Sequence, residues 1–315
     1  MICGEVRCLA CQETYAVDKG ILNLLWNPSE AAQREIEAQP REDRQWWASI
    51  PEHLRPLFDS EIAHQVLLNT PRCPVPELVE AIESYRRLDD LADDYYELLD
   101  RLNLRGDETV VEVGADSCWG ARDLSRRAAF VVATDITTHL EMGQAFLDAG
   151  ADFERVRCEM ACFPFRDGSL DLVFGVACLH HCAPMEKVLL AVRRALKPGG
   201  RAVFFDEPVR GRFDLKAKDA FGAERRELGF QEHIYTVKEY FYAARATGFV
   251  PRVAPLTSVL KDPRRKWPLA RQVALALLRT GLGRTVVFTR WVYPWLLQFY
   301  PRIPFPRFAL VLEKK

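Results

Sequence analysis

The stretch VVEVGADSCWGARDL, residues 110–124, decides how the rest of the chain is read. Three valines around one acid read as a buried strand, Gly114 turns the chain, and WGARDL opens a helix. A strand running through a glycine turn into a helix is the arrangement that cradles a nucleotide. Here the turn has only Gly114 and Gly120, whereas a pyrophosphate loop carries three glycines. That shortage argues against a nicotinamide dehydrogenase.

Outward from this stretch, strands and helices alternate. FVVATD (130–135) reads as the second strand, followed by the helical THLEMGQAFLDAG. Further strands are expected over 153–157, 170–176 and 201–207. The helix MEKVLLAVRRAL separates the last two and is stopped by KPGG. A helix over 236–247, a strand over 249–254 and a last strand in RFALVLEKK (307–315) complete the series. Such alternation predicts a parallel sheet covered by helices on both faces, with ligands at the carboxyl ends of the strands.

The apolar fraction of 49% and charged fraction of 28% are ordinary for a soluble globular protein. No uninterrupted apolar run reaches membrane-spanning length, and no charged-then-apolar leader opens the chain, so a cytoplasmic location is expected. The nine cysteines lack the spacing of a disulfide framework and read as reduced thiols. The net charge of −1 hides an asymmetry: residues 261–315 carry 12 Lys/Arg against 2 Asp/Glu, while the remainder is acidic. A basic tail rich in Trp and Leu suits an anionic ligand or peripheral membrane contact through 261–303, or else a helical cap whose apolar face is core. The acidic remainder argues against a nucleic-acid partner. Nothing in these features fixes the oligomeric state.

Four ordered fragments, VVEVGADSCWG, ATDIT, CEMACFPFRDGSLDLVFGVACLHHC and ALKPGGRAVFFDEP, resemble the class I S-adenosylmethionine-dependent methyltransferases. The resemblance covers about residues 95–256. It implies a Rossmann-like, doubly wound, mostly parallel seven-stranded sheet with an antiparallel last strand. It also implies S-adenosyl-L-methionine as cofactor and, by fold-level analogy, a small-molecule, sugar or lipid acceptor. The basic and apolar segment over 257–303 motivates an apolar or anionic one, such as a lipid-linked sugar or a polyketide-like compound.

The family turn reads E-x-G-x-G-x-G; Asp116 and Cys118 replace its second and third glycines. Asp tolerates a positive φ better than most residues, whereas Cys has no such allowance. By resemblance, Glu112, Val113, Gly114, Ala115 and Asp116 would hold the methionine moiety, with Trp119 covering part of it. Asp135 and the following Ile136 would take the ribose, since a carboxylate accepts two hydrogen bonds at once. Glu159 stands where the family has an Asp for the adenine amino group. Met160 and Ala161 would pack on the ring, and Val176 would line the pocket.

Methyl transfer from a sulfonium is an in-line displacement that needs a base only when the acceptor must lose a proton. His180 and His181 are the candidate bases, or else merely order their loop. Asp206 and Glu207 end the fifth strand and would touch the acceptor, and His233 and Tyr235 would reach over the site. The alternative reading is a cofactor-binding but non-catalytic partner or regulatory subunit, suggested by the altered turn.

Five segments follow: a degenerate zinc-ribbon-like unit (1–25), a linker and helical cap (26–104), the core (105–256), a helical lid insertion (257–303) and the last core strand (304–315). Cys8 and Cys11 are the candidate metal ligands of the first. Structural zinc needs four ligands, so the count disfavours a bound ion. Cys178, His180, His181 and Cys182 are also metal-capable, but adjacent side chains on one loop rarely converge on an ion, and packing is their expected role.

Overall fold

The structure, a computed structural model, describes residues 2–59, 61–212, 214, 216, 220–256, 285, 288–297 and 307–315. Most of the expected lid, 257–303, lies outside the described residues. The chain divides into two compact units. One comprises 1–92, 104–164 and 228–230, the other 93–103, 165–227 and 231–315.

In the first unit, β4 (Thr109–Val113), β5 (Phe130–Asp135) and β6 (Glu154–Arg157) pair in parallel in the order β6-β5-β4. Val110, Val111, Val131 and Val132 are all buried, as strands covered on both faces require. The segment read as ribbon-like forms an antiparallel meander of β1 (Gly4–Arg7), β2 (Thr14–Asp18) and β3 (Ile21–Asn23). This meander is joined to the sheet: β3 runs parallel to β6, pairing Ile21 with Arg155 and Asn23 with Arg157.

Helix α1 (Glu30–Ser49) starts at the N-cap Ser29, whose Oγ accepts from the Ala32 N–H at 3.2 Å. Helices α2 (Glu61–Asn69) and α3 (Pro76–Ala81) follow, and Ile50, Leu54, Val66, Leu78 and Ile82 form a small core among them. Helix α4 (Glu83–Leu102) passes from one unit into the other. Helix α5 (Trp119–Ser125) follows β4, and α6 (Gly143–Asp148) follows β5. The buried Arg122 of α5 donates to the carbonyls of Leu68 and Thr70, both at 2.6 Å, and to Asp123.

In the second unit, β7 (Leu170–Val176) pairs in parallel with β8 (Leu196–Phe205), after α7 (Met185–Ala195). Strand β10 (Phe308–Lys314) inserts antiparallel between β8 and β9 (Phe249–Pro255). Helices α8 (Ala223–Leu228) and α9 (Val237–Ala246) precede β9, and Thr236 with Glu239 forms a capping box for the second of them. The fold is therefore Rossmann-like: among the described residues, the first unit holds core strands β4, β5 and β6 and the second β7, β8, β9 and β10, the seven expected, with β10 antiparallel.

One strand departs from the sequence reading. Strand β8 begins at Leu196 rather than 201, because Leu196 pairs with Leu170 across a register shift. KPGG lies inside this strand, and Gly200 sits where a Cβ would meet the carbonyls of Leu170 and Asp171 at 3.2 Å. Because β8 ends at Phe205, Asp206 and Glu207 stand beyond the strand, Asp206 with φ 56°.

Candidate active site

The turn after β4 holds positive φ at three alternate residues: Gly114 (61°), Asp116 (44°) and Cys118 (69°). These are the positions at which the family pattern has glycine. The path is thus retained although two side chains have been added, at about 1–2 kcal/mol for each residue in the left-handed region. Tertiary contacts hold both. Asp116 Oδ1 lies 2.5 Å from His139 Nδ1. The Cys118 thiol is buried against Gly143, where a Cβ would come within 2.9 Å of the sulfur.

Asp135 at the end of β5 is oriented by backbone on both sides. Its Oδ2 accepts from the Asp116 N–H at 2.9 Å and its Oδ1 from the Thr137 N–H at 2.8 Å. Each oxygen keeps a second lone pair, so the carboxylate is set as a paired acceptor. Burial, and then the charge of Asp116, raise its pKa above the ordinary carboxylate value.

Glu112 is 3% exposed. It accepts from the Ala121 N–H, and its Oε2 has no hydrogen-bond partner among the described residues. Burial pushes its pKa well above the usual range. A cationic amine beside that oxygen would satisfy it, which is the group the resemblance implies.

Val113, Ala115 and Trp119 are buried around the turn, and the Ile136 carbonyl accepts from Arg157 Nη2 at 2.8 Å. Met160 and Ala161 lie in a short 3-10 turn after Glu159. Glu159 already has partners: its Oε1 accepts from Ser29 Oγ at 2.6 Å and its Oε2 from the Ser29 N–H at 3.1 Å. The extra methylene of Glu over Asp gives it the reach to anchor the start of α1.

His139 was not legible in the sequence, since THLEMG carries no motif. Its Nδ1 meets Asp116, while its Nε2 lies 3.2 Å from Asp43 and 3.4 Å from Gln39, both on α1. Helix α1 is thus tied to the first unit's strand ends through Ser29 and Asp43. Partial burial would lower the His139 pKa, but Asp116, Asp43 and Asp135 raise it to about 9.

Because that value exceeds the unfolded one of about 6.5, the stabilisation is complete below pH ~6.5 and disappears as pH rises through about 9. Asp116 and Asp43 are 58% and 47% exposed, so water screens the pair to below about 1 kcal/mol. In thermal melts, the gap between wild type and His139→Gln should be widest below about pH 6.5, narrow as pH rises, and close above about pH 9. A gap that stays constant would exclude the ion pair as its source.

In the second unit, Leu179–His181 forms a 3-10 turn after β7, with Val176 at the end of that strand. Glu207 caps this turn. Its Oε1 accepts from the N–H groups of Cys178 at 2.9 Å and Leu179 at 2.8 Å, and its Oε2 from the His180 N–H and imidazole Nδ1, both at 3.0 Å. Asp206 accepts from Arg307 Nε at 3.2 Å.

Burial opposes charge on both Glu207 and His180, yet their mutual hydrogen bond prevails. Glu207 is held below the usual carboxylate range, and His180, also bonded to Glu232, is raised to about 9. Burial and the adjacent His180 depress His181 to about 4. His181 Nδ1 donates to the Gln231 carbonyl at 2.7 Å, which leaves the lone pair on Nε2. His233 stacks on Tyr235 with ring centroids 5.8 Å apart, and Tyr235 Oη donates to the Cys182 carbonyl at 3.3 Å.

Sequence reading missed Glu232. It lies 3.4 Å from His180 Nε2 through Oε2, and Arg225 binds its Oε1. In the N-terminal meander, Cys8 accepts backbone N–H groups from Cys11 and Ala10, which lower its pKa.

The fold is that of the class I S-adenosylmethionine-dependent methyltransferases. A solved geranyl diphosphate C-methyltransferase from Streptomyces coelicolor A3(2), in complex with Mg2+, geranyl diphosphate and S-adenosyl-L-homocysteine, is similar over 80% of this chain and 89% of its own. The two share 17% identity and a TM-score of 0.51. Residues 111–204 match the family model described as a methyltransferase domain.

Among curated relatives, the demethylmenaquinone methyltransferase of Tropheryma whipplei (strain Twist) is 32% identical over 113 residues. That match covers 35% of this chain and 46% of the relative. The demethylmenaquinone methyltransferase of Corynebacterium glutamicum is 27% identical over 183 residues, covering 58% and 70%. The chain therefore spans less than half the length of the Tropheryma relative.

Proposed function

We propose that this chain transfers a methyl group from S-adenosylmethionine to a small-molecule acceptor. The observation that carries the reading is Asp135, whose two carboxylate oxygens are aimed by the N–H groups of Asp116 and Thr137 beside a turn with three positive φ values. It is the group to accept both ribose hydroxyls. The unpartnered Oε2 of buried Glu112 is the group to meet the amino-acid ammonium.

When bound, S-adenosylmethionine supplies an electrophilic methyl group on a sulfonium. The protein then needs to align the acceptor, exclude water and, for a hydroxyl acceptor, manage one proton. That last task falls to the histidines of the Leu179–His181 turn. Glu207 acts on them as an organiser, since all of its assigned bonds go to the turn.

The substrates named in the relatives, demethylmenaquinone and geranyl diphosphate, support an apolar or anionic small molecule as acceptor. So do the basic tail and the exposed Trp291 and Trp295. Among the described residues, no helix is long and apolar enough to cross a membrane.

Isothermal titration with S-adenosylmethionine, followed by transfer of a labelled methyl group across polyprenyl, quinone and sugar-lipid acceptors, tests the reading. Absence of cofactor binding would sink it. Binding without turnover would favour a regulatory partner. His181→Ala should lower turnover by about a hundredfold or more while cofactor affinity stays within about twofold. Loss of both together would remove the histidine from acceptor chemistry.

A further inference from the structure

We propose that His180, His181 and Glu232 form a binding site for a divalent transition-metal ion of the zinc type. One ligand-capable atom from each residue lies within 4.8 Å of those of the other two. The closest pair, His180 Nε2 and Glu232 Oε2, is 3.4 Å apart. Two ligands each about 2.0–2.2 Å from a tetrahedral ion stand roughly 3.3–3.5 Å apart, so this pair is already at coordinating separation.

The surroundings are those of metal ligands. Each imidazole gives its Nδ1–H to a fixed acceptor, His180 to Glu207 and His181 to the Gln231 carbonyl. Such outer partners fix the tautomer. His180 Nε2 faces Glu232 Oε2, and His181 comes within 3.9 Å of Glu232 Oε1 through Nδ1. The third ligand is supported likewise: Arg225 holds Glu232 Oε1 and leaves Oε2 toward His180.

Gly222 admits the approach of Glu232. At φ 62°, a Cβ there would lie 2.5 Å from the Glu232 Cβ. The side chains of His180 and Glu232 are 5% and 3% exposed, whereas that of His181 is 19% exposed, which leaves one side of the site open for a further ligand. Two imidazoles and a carboxylate suit zinc and its first-row neighbours better than magnesium or calcium. The structure thus departs from the expectation that adjacent histidines would only pack. Folding supplies a third ligand from a distant segment.

The ion would polarise an acceptor oxygen in place of direct proton abstraction by histidine. This role rests on the proposed methyl transfer; the metal site itself does not.

The test uses the full chain after chelator treatment, with Cys8→Ser and Cys11→Ser in place so that thiolates cannot bind the ion. Titration with Zn2+ alone should show one equivalent bound. His181→Ala and Glu232→Gln should each weaken binding at least tenfold, with folding verified by circular dichroism. Should either variant fail to fold, X-ray absorption of the zinc-loaded protein decides, and a shell of nitrogen and oxygen including imidazole is expected. No stoichiometric binding, a sulfur-containing shell, or affinity unchanged in both variants would overturn the site. Cofactor affinity, measured on the same samples, reports separately on the methyltransferase reading.

Discussion

Asp135→Ala should weaken S-adenosylmethionine binding by about 1.5–3 kcal/mol, roughly ten- to a hundredfold in Kd. The carboxylate is the group proposed to take both ribose hydroxyls, and hydrogen bonds to a charged acceptor are the strong ones. It also receives the Asp116 and Thr137 N–H groups, so its removal unties the turn as well. Asp135→Asn grades these effects: the amide oxygen keeps one of the two backbone N–H groups while its NH2 faces the other, so the losses of affinity and of thermal stability should both fall between wild type and alanine. Titration calorimetry on the three proteins reads the series. An alanine variant that binds the cofactor as wild type does would remove Asp135 from the site.

Gly120→Ala should destabilise the fold by about 1–3 kcal/mol, against the direction of helix propensity. Gly120 lies inside α5, where alanine would ordinarily gain close to 1 kcal/mol. Here a Cβ would come within 1.9 Å of Glu112 Oε1 and 2.7 Å of its Cδ. Glu112 is 3% exposed and bonded to the Ala121 N–H, so its carboxylate has little room to withdraw.

The clash is specific to one side chain and predicts its own rescue. In a Glu112→Ala background, Gly120→Ala should cost little or become stabilising, a coupling measured by a double-mutant cycle in denaturant. Equal costs in the two backgrounds would mean that the glycine is required for some other reason. A small loss in stability accompanied by a large loss of cofactor would mean that Glu112 had yielded.

These expectations show how unevenly the site could be read. That Asp135 and Glu112 stand at strand ends was legible as a local pattern, whereas their roles toward the cofactor came from the resemblance and belong to the proposal. The fate of Asp116 and Cys118 was half legible: two missing glycines could be counted, but whether the backbone would keep its path could not. It does, because His139 and Gly143, both distant in sequence, receive the added side chains. Glu159 was placed beside adenine by resemblance, yet in the fold its carboxylate holds Ser29. Glu207 was expected at the acceptor and is instead the cap of the Leu179–His181 turn, because β8 ends two residues before it and leaves its side chain among three N–H donors.

What the sequence determined by itself was the alternation of strands and helices, and with it the parallel sheet and the strand-end acids. Those follow from short-range periodicity, because each buried strand and each amphipathic helix writes its own pattern into consecutive residues. What only the tertiary structure decided was the partnership of charged side chains: His139 with Asp116 and Asp43, and His180 with Glu207 and Glu232. A buried or half-buried charge is stable only beside its partner, and the residues between partners in the chain carry no record of that distance.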